Sequence, residues 1–155
     1  MTPPNVAIYE FIRRGFDFKG RSSRAEFWWP IAFFLFCYFI GVSLFMAAGG
    51  EAWAEIAVEQ LTAPQDERDF SSLPRLTRGQ LFVLIFVLVI RVLTFIPEIA
   101  VSVRRLHDLG QTGWLHLVFL IAGFGIPVIP GLLELVWFAF KGQTGANKYG
   151  PDPLA

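Results

Sequence analysis

The chain has 155 residues, of which 54% are apolar, 16% aromatic and only 17% charged. Ordinary soluble domains carry about a quarter charged residues, and here the apolar residues gather into long runs, which points to a bilayer rather than a soluble core. A net charge of zero excludes a global basic field for nucleic acid, and a single cysteine, Cys37, excludes an internal disulfide and any CxxC redox or zinc pair.

The first 26 residues are read as a cytoplasmic interfacial segment with a short helix near Val6 to Arg14. It ends in the stretch GRSSRAEFWW, residues 20–29. Ser23 and Glu26 have the S-x-x-E spacing of a capping box, so a helix is predicted to start near Arg24. Phe27, Trp28 and Trp29 then fall at headgroup depth, where aromatic rings are favoured. Pro30 lacks a backbone donor, so either the helix bends there or it begins later with Pro30 in its first turn.

Residues 27–48 hold no charge and are long enough to cross ~30 Å of hydrocarbon. The apolar stretch exceeds the h-region of a signal peptide, so a retained anchor is expected. Residues 49–79 are polar and are placed outside the cytoplasm. GGEAWAEIAVEQL is predicted to form a short amphipathic helix, and the Pro-, Ser- and charge-rich stretch after it a loop.

The second span is predicted over 80–103, interrupted by Arg91 and Glu98. At about 100° per residue, Arg91, Thr94, Glu98, Ser102 and Arg105 fall on one stripe. Charged groups inside a membrane normally face protein or water. Gly110 is the natural stop, and Thr112 can cap the helix that follows the short turn. The third run, 114–140, is broken by GFGIPVIPG. Unbroken, it makes a helix of ~40 Å that crosses only with a tilt near 40°. Folded back, it is a hairpin that does not cross, and the hairpin is favoured over a kinked span. Residues 141–155 read as turns or an extended strap.

Basic residues set orientation. Arg13, Arg14, Lys19, Arg21, Arg24, Arg104 and Arg105 share one side, against Arg68, Arg75 and Arg78 beside six acids on the other. An N-inside topology follows, and a hairpin adds Lys141 and Lys148 to the inner side. The expected fold is therefore an all-α membrane protein: one small multi-pass bundle with two full spans, a broken third membrane segment and an N-terminal interfacial helix.

Three segments carry a resemblance. FKGRSSRAEFW, RRLHDLGQTGW and GANKYGPDP together resemble the bacterial inner-membrane family catalogued as domain of unknown function 805. Two departures are a long 49–80 loop and Leu115 after Trp114, where a second aromatic is common. The resemblance implies a small multi-pass protein of the bacterial plasma membrane and brings no activity with it.

As chemistry, the chain offers little to an enzyme. His107 and Asp108 are adjacent, so on a helix they point about 100° apart and do not orient each other. No catalytic residue, cofactor or metal site is assigned, since His107 and His116 lack converging ligands. His107 is expected to hydrogen-bond a neighbouring loop. The candidate binding residues are Arg21, Arg24, Glu26, Arg104, Arg105, His107, Asp108, Asn147, Tyr149 and Asp152. The arginines are expected to be fixed by carboxylates through charge-assisted bonds. Arg91, Glu98 and Glu134 form a second, intramembrane polar group in which each charge needs a partner. The leading reading is a non-enzymatic module that meets the bilayer, an anionic phospholipid or a membrane-protein partner through an arginine-rich cytoplasmic face. The alternative is a small carrier or lipid-modifying enzyme using Arg91, Glu98 and Glu134. No GxxxG seam appears in a span, so the sequence leaves the oligomeric state open.

Overall fold

The computed structural model describes residues 2–155 except 70, 72, 73 and 127. The predicted loop at Phe70, Ser72 and Leu73, and Pro127 in the predicted break, lie outside the described residues. Among these, the chain is all-helical, with no strand beyond an isolated bridge between Asn147 and Gly150. Six α-helices follow one another: α1 (Pro4–Arg13), α2 (Arg24–Phe45), α3 (Glu51–Thr62), α4 (Arg78–Asp108), α5 (Trp114–Gly125) and α6 (Ile129–Ala139).

Local chemistry explains most boundaries. Pro4 opens α1, where a missing N–H costs nothing, and Ala7 and Phe11, one turn apart, form its buried face. α2 begins at Arg24 as its capping box predicts: Ser23 Oγ accepts the Glu26 N–H at 3.3 Å. The Glu26 carboxylate reaches back to the Ser23 N–H and the Ser22 hydroxyl. Pro30 therefore lies inside α2, and the later start is not taken. α2 ends through a π-turn at Met46–Gly50, where Gly49 takes the left-handed φ of 86° that a side chain would resist. α3 follows as the predicted amphipathic helix, and a 3₁₀ turn at Gln65–Glu67 falls within the predicted loop.

α4 runs five residues past the expected end at Val103, through Arg104–Asp108, and turns at Gly110. The α5 N-cap is Gly113, with no side-chain cap bond. Thr112 contributes its carbonyl, to the Leu115 N–H, rather than the predicted hydroxyl.

The third run is a hairpin. α5 packs on α6, Phe119 meets Trp137 edge-on, and the α6 end at Phe138 returns to Arg105 at the α4 end. α2 and α4 are long and apolar enough to cross a membrane, whereas α5 and α6 are shorter. Of the most apolar 18-residue stretches, only 6% (residues 24–62) and 11% (α4) are buried, unlike the core helix of a soluble protein.

The chain divides into two compact units, residues 1–33 with 93–155, and residues 34–92. In the first, Phe27 packs edge-to-face on Phe138, with ring centres 4.7 Å apart, beside buried Ala100, Val101 and Leu106. In the second, a Cβ on Gly41 would sit 2.7 Å from Val87, so these two helical segments touch nearly backbone to side chain.

Candidate functional site

The candidate site is built inside the first unit where α1, the start of α2, the end of α4 and the C-terminal tail meet. Its centre is Asp108, which is 3% exposed and shared by two guanidiniums. Oδ1 accepts from Arg21 Nε at 3.0 Å and Nη2 at 2.8 Å. Oδ2 accepts from Arg105 Nη1. Arg105 and Asp108 are i and i+3 on one helix face, so α4 itself supplies half of the cluster.

The remaining arginine donors go mainly to backbone carbonyls, not to carboxylates as expected. Arg21 donates to the carbonyls of Gln143 and Gly145 (the latter at 2.5 Å), pinning the tail. Arg104 donates to the carbonyls of Arg14, at 2.8 Å, and Asp17, and to Ser22 Oγ at 3.0 Å. Arg105 donates to Phe138 O, at 3.0 Å through Nη2, and to Phe140 O, just past α6. Arg104 and Arg105 thus supply donors where α1 and α6 run out of intrahelical ones, and place positive charge at their negative dipole ends. A buried guanidinium is tolerable only when its donors are so used.

The tail closes the site. Gln143 N–H donates to the Asp108 carbonyl at 2.9 Å. A Cβ on Gly142 would fall 1.9 Å from Asp108 Oδ2, so the tail passes too close for any side chain there. Asn147 Nδ2 donates to the His107 carbonyl and to Gln143 Oε1, both at 3.0 Å. The Tyr149 ring stacks on the His107 ring with centres 4.0 Å apart. Asp152 accepts the N–H groups of Leu154 and Gly145 at 2.9 Å, and these hold its carboxyl below the usual range.

His107 Nδ1–H donates to the Gly20 carbonyl at 3.0 Å, the loop bond expected of it. Burial pushes its pKa down, against the pull of the Gly20 carbonyl, and Lys148 pushes it further down. Asp17 stays below the ordinary carboxylate range. Burial would raise it, but the Lys19 N–H and Arg14 together outweigh burial.

Arg24 differs from its neighbours. It is exposed and lines the rim of a cavity of about 200 Å³ with Ser23, Lys141 and Thr144, over a floor of Arg105 and Asp108. Glu26 is half-buried, bonded to Ser22 and Ser23 rather than to an arginine.

Of the second predicted group, Arg91 belongs to the second unit and is exposed; Glu98 and Glu134 belong to the first, half-buried and buried. Glu134 meets His116 of the facing helix, with Oε1 2.7 Å from Nδ1. Sequence reasoning weighed His116 only as a metal ligand and did not pair it with Glu134, although it is the lone ionisable residue of α5 as Glu134 is of α6. Ser22, Gln143 and the Gly142 approach were missed too, because their partners, Arg104, Arg21 and Asp108, lie 82, 122 and 34 residues away along the chain.

A family model described as "Protein of unknown function (DUF805)" matches residues 15–151. The chain is 42% identical over 60 residues to "Inner membrane protein YhaI" of Escherichia coli (strain K12), covering 39% of this chain and 47% of that one. It is likewise 42% identical over 62 residues to "Inner membrane protein YhaH" of the same strain, covering 40% and 47%. The chain thus spans about half the length of the curated relatives it matches, and no solved structure matches it. The first two segments singled out in the sequence, the third as far as Pro151, and every buried arginine of the cluster lie within the matched range, and the chain belongs to the DUF805 family.

Proposed function

We propose that this is a non-enzymatic module of the bacterial inner membrane that holds an anionic phospholipid headgroup at its cytoplasmic face. Apolar helices open to their surroundings and inner-membrane relatives support the bilayer. The proposed layout has a cytoplasmic segment 1–26, spans at 27–48 and 80–103, an outer segment 49–79, and a membrane hairpin at 114–140 that returns the tail 141–155 to the inner side. The bonds from Arg21 and Arg104 to residues 108 and 22 support a common side for both arginine-rich segments.

The observation that carries the reading is the 200 Å³ cavity. Two carboxylates, Asp108 and Asp152, line the cavity with three cationic side chains, Arg24, Arg105 and Lys141, so the lining keeps an excess of positive charge. Arg21, Arg104 and Arg105 spend their donors within the fold, and so they supply field and shape rather than direct contacts. Arg24 and Lys141 at the rim, with the Ser23 and Thr144 hydroxyls, are the groups placed to touch a phosphate. A closed cluster of this kind favours a binding module over a carrier.

Native mass spectrometry of the protein extracted in mild detergent tests the ligand. Retained anionic phospholipid, lost from an Arg24→Ala, Lys141→Ala double variant, is expected. Retention of zwitterionic lipid alone overturns the reading, and capture of an acidic protein segment in place of lipid replaces it. A reporter fused at residue 65 tests orientation: export activity there is expected, and cytoplasmic activity inverts the topology.

A further inference from the structure

The α5–α6 hairpin carries a second site, on residues the anionic cavity does not use. α5 is WLHLVFLIAGFG and α6 is IPGLLELVWFA, so His116 and Glu134 are the lone ionisable groups in two otherwise apolar helices. They meet at 2.7 Å, with side chains 17% and 11% exposed. Beside them opens a cavity of about 360 Å³, walled also by Phe119, Leu120, Phe124 and Val128. That size lies in the usual range of ~300–1,000 Å³ for small-molecule sites. Two glycines widen it. A Cβ added at Gly123 or Gly131 would meet nothing within 4 Å, so no neighbour fills the space beside them.

The wall chemistry selects the guest. No Lys or Arg lines this cavity, which disfavours an anion. A carboxylate and two phenylalanine faces favour a cation, and an organic one, because the remaining wall is hydrocarbon. Glu134 Oε1 and His116 Nδ1, 2.7 Å apart, are the polar side-chain groups of a wall that is otherwise apolar.

His116 also lines a largely apolar cleft of about 530 Å³ with Val103, Leu117, Thr112 and Gly113. The charged or titratable groups at the end of α4 are Glu98, Arg104, Arg105, His107 and Asp108, and those at the start of α2 are Arg24 and Glu26. Arg105 is bound to Asp108, Phe138 and Phe140, His107 to Gly20, and Glu26 to Ser22 and Ser23.

We propose that His116 and Glu134 form a binding site for a lipophilic organic cation. On binding, the cation sits beside the Glu134 carboxyl group, with its hydrocarbon part against the apolar wall. The proposal goes beyond the anionic headgroup site and shares with that reading only the bilayer around the hairpin.

The test uses the full chain in phosphatidylcholine nanodiscs, in weak buffer, titrated with benzyltrimethylammonium. Saturable binding is expected. Glu134→Gln should abolish it, and Gly123→Leu, which fills the cavity without touching the pair, should weaken binding at least tenfold. Circular dichroism and elution volume confirm that each variant is folded; if Glu134→Gln fails to fold, Gly123→Leu decides alone. No saturable binding to the wild type, or binding unchanged in the folded variants, overturns the proposal. Arg24 and Lys141 are intact throughout, so failure here leaves the headgroup site standing.

Discussion

The two units of the chain differ in how much they bury, and the polar cluster is buried in one of them. Residues 34–92 expose Phe39, Val42, Leu81, Phe82 and Leu88 and bury little besides Gly41, Gly50 and Gln80. Residues 1–33 with 93–155 bury Arg21, Ser22, Ser23, Arg104, Arg105 and Asp108 at or below 5% exposure. In water this order would be perverse. With hydrocarbon as solvent, apolar exposure costs nothing, and the groups that must be hidden are the polar ones. One unit then needs only helical backbone bonds and a close approach at Gly41. The other is held by charge-assisted bonds between distant segments, and removing one member leaves an unpaired buried charge.

The largest test of this contrast is Asp108→Ala. It strands two guanidiniums at once, and a loss of about 3–5 kcal/mol is expected, read as thermal unfolding in detergent. A loss below 1 kcal/mol would mean that the carbonyls suffice without the carboxylate. Next come Glu134→Lys and Arg91→Leu. Glu134→Lys replaces the partner of His116 with a positive charge, whereas Arg91 is exposed in the second unit. Membrane yield should fall more for Glu134→Lys, and equal tolerance would remove the distinction between the units.

Acidification should loosen the tail of the first unit. His107 has its folded pKa below the ordinary value of 6.5. Its contribution is therefore complete above about pH 6.5 and is lost as pH falls towards the folded pKa, because the unfolded chain takes the proton first. Amide exchange at residues 143–150 should rise in that window, as the ring stacked on Tyr149 charges, and His107→Asn should flatten the change. Asp17 and Asp152, both held low, contribute above the carboxylate range and weaken only in stronger acid. Protection constant from pH 7 to 5 would show that His107 does not hold the tail. The smallest effect belongs to Ser23→Ala. The cap bond is long, at 3.3 Å, and about 1 kcal/mol is expected from the melting temperature.

Much of this was legible along the chain because its causes are local. The capping box at Ser23 and Glu26 fixed where α2 starts, Gly110 fixed where α4 turns, and uncharged length marked α2 as long enough to cross. Runs too short to cross, split by Gly and Pro, already favoured a hairpin. What composition and spacing leave open is which donor meets which acceptor. Arg105 meets the carboxylate of Asp108 as expected and also clasps a carbonyl at the end of α6, while Arg104 clasps one at the end of α1, since those helix ends carry unmet acceptors wherever the chain brings them. Likewise Glu134 advertised a need for a partner, but only the folding of α5 against α6 chose His116. Solvent preference and helix ends are written residue by residue; pairing across a hundred residues depends on the return path of the chain, which tertiary structure alone decides.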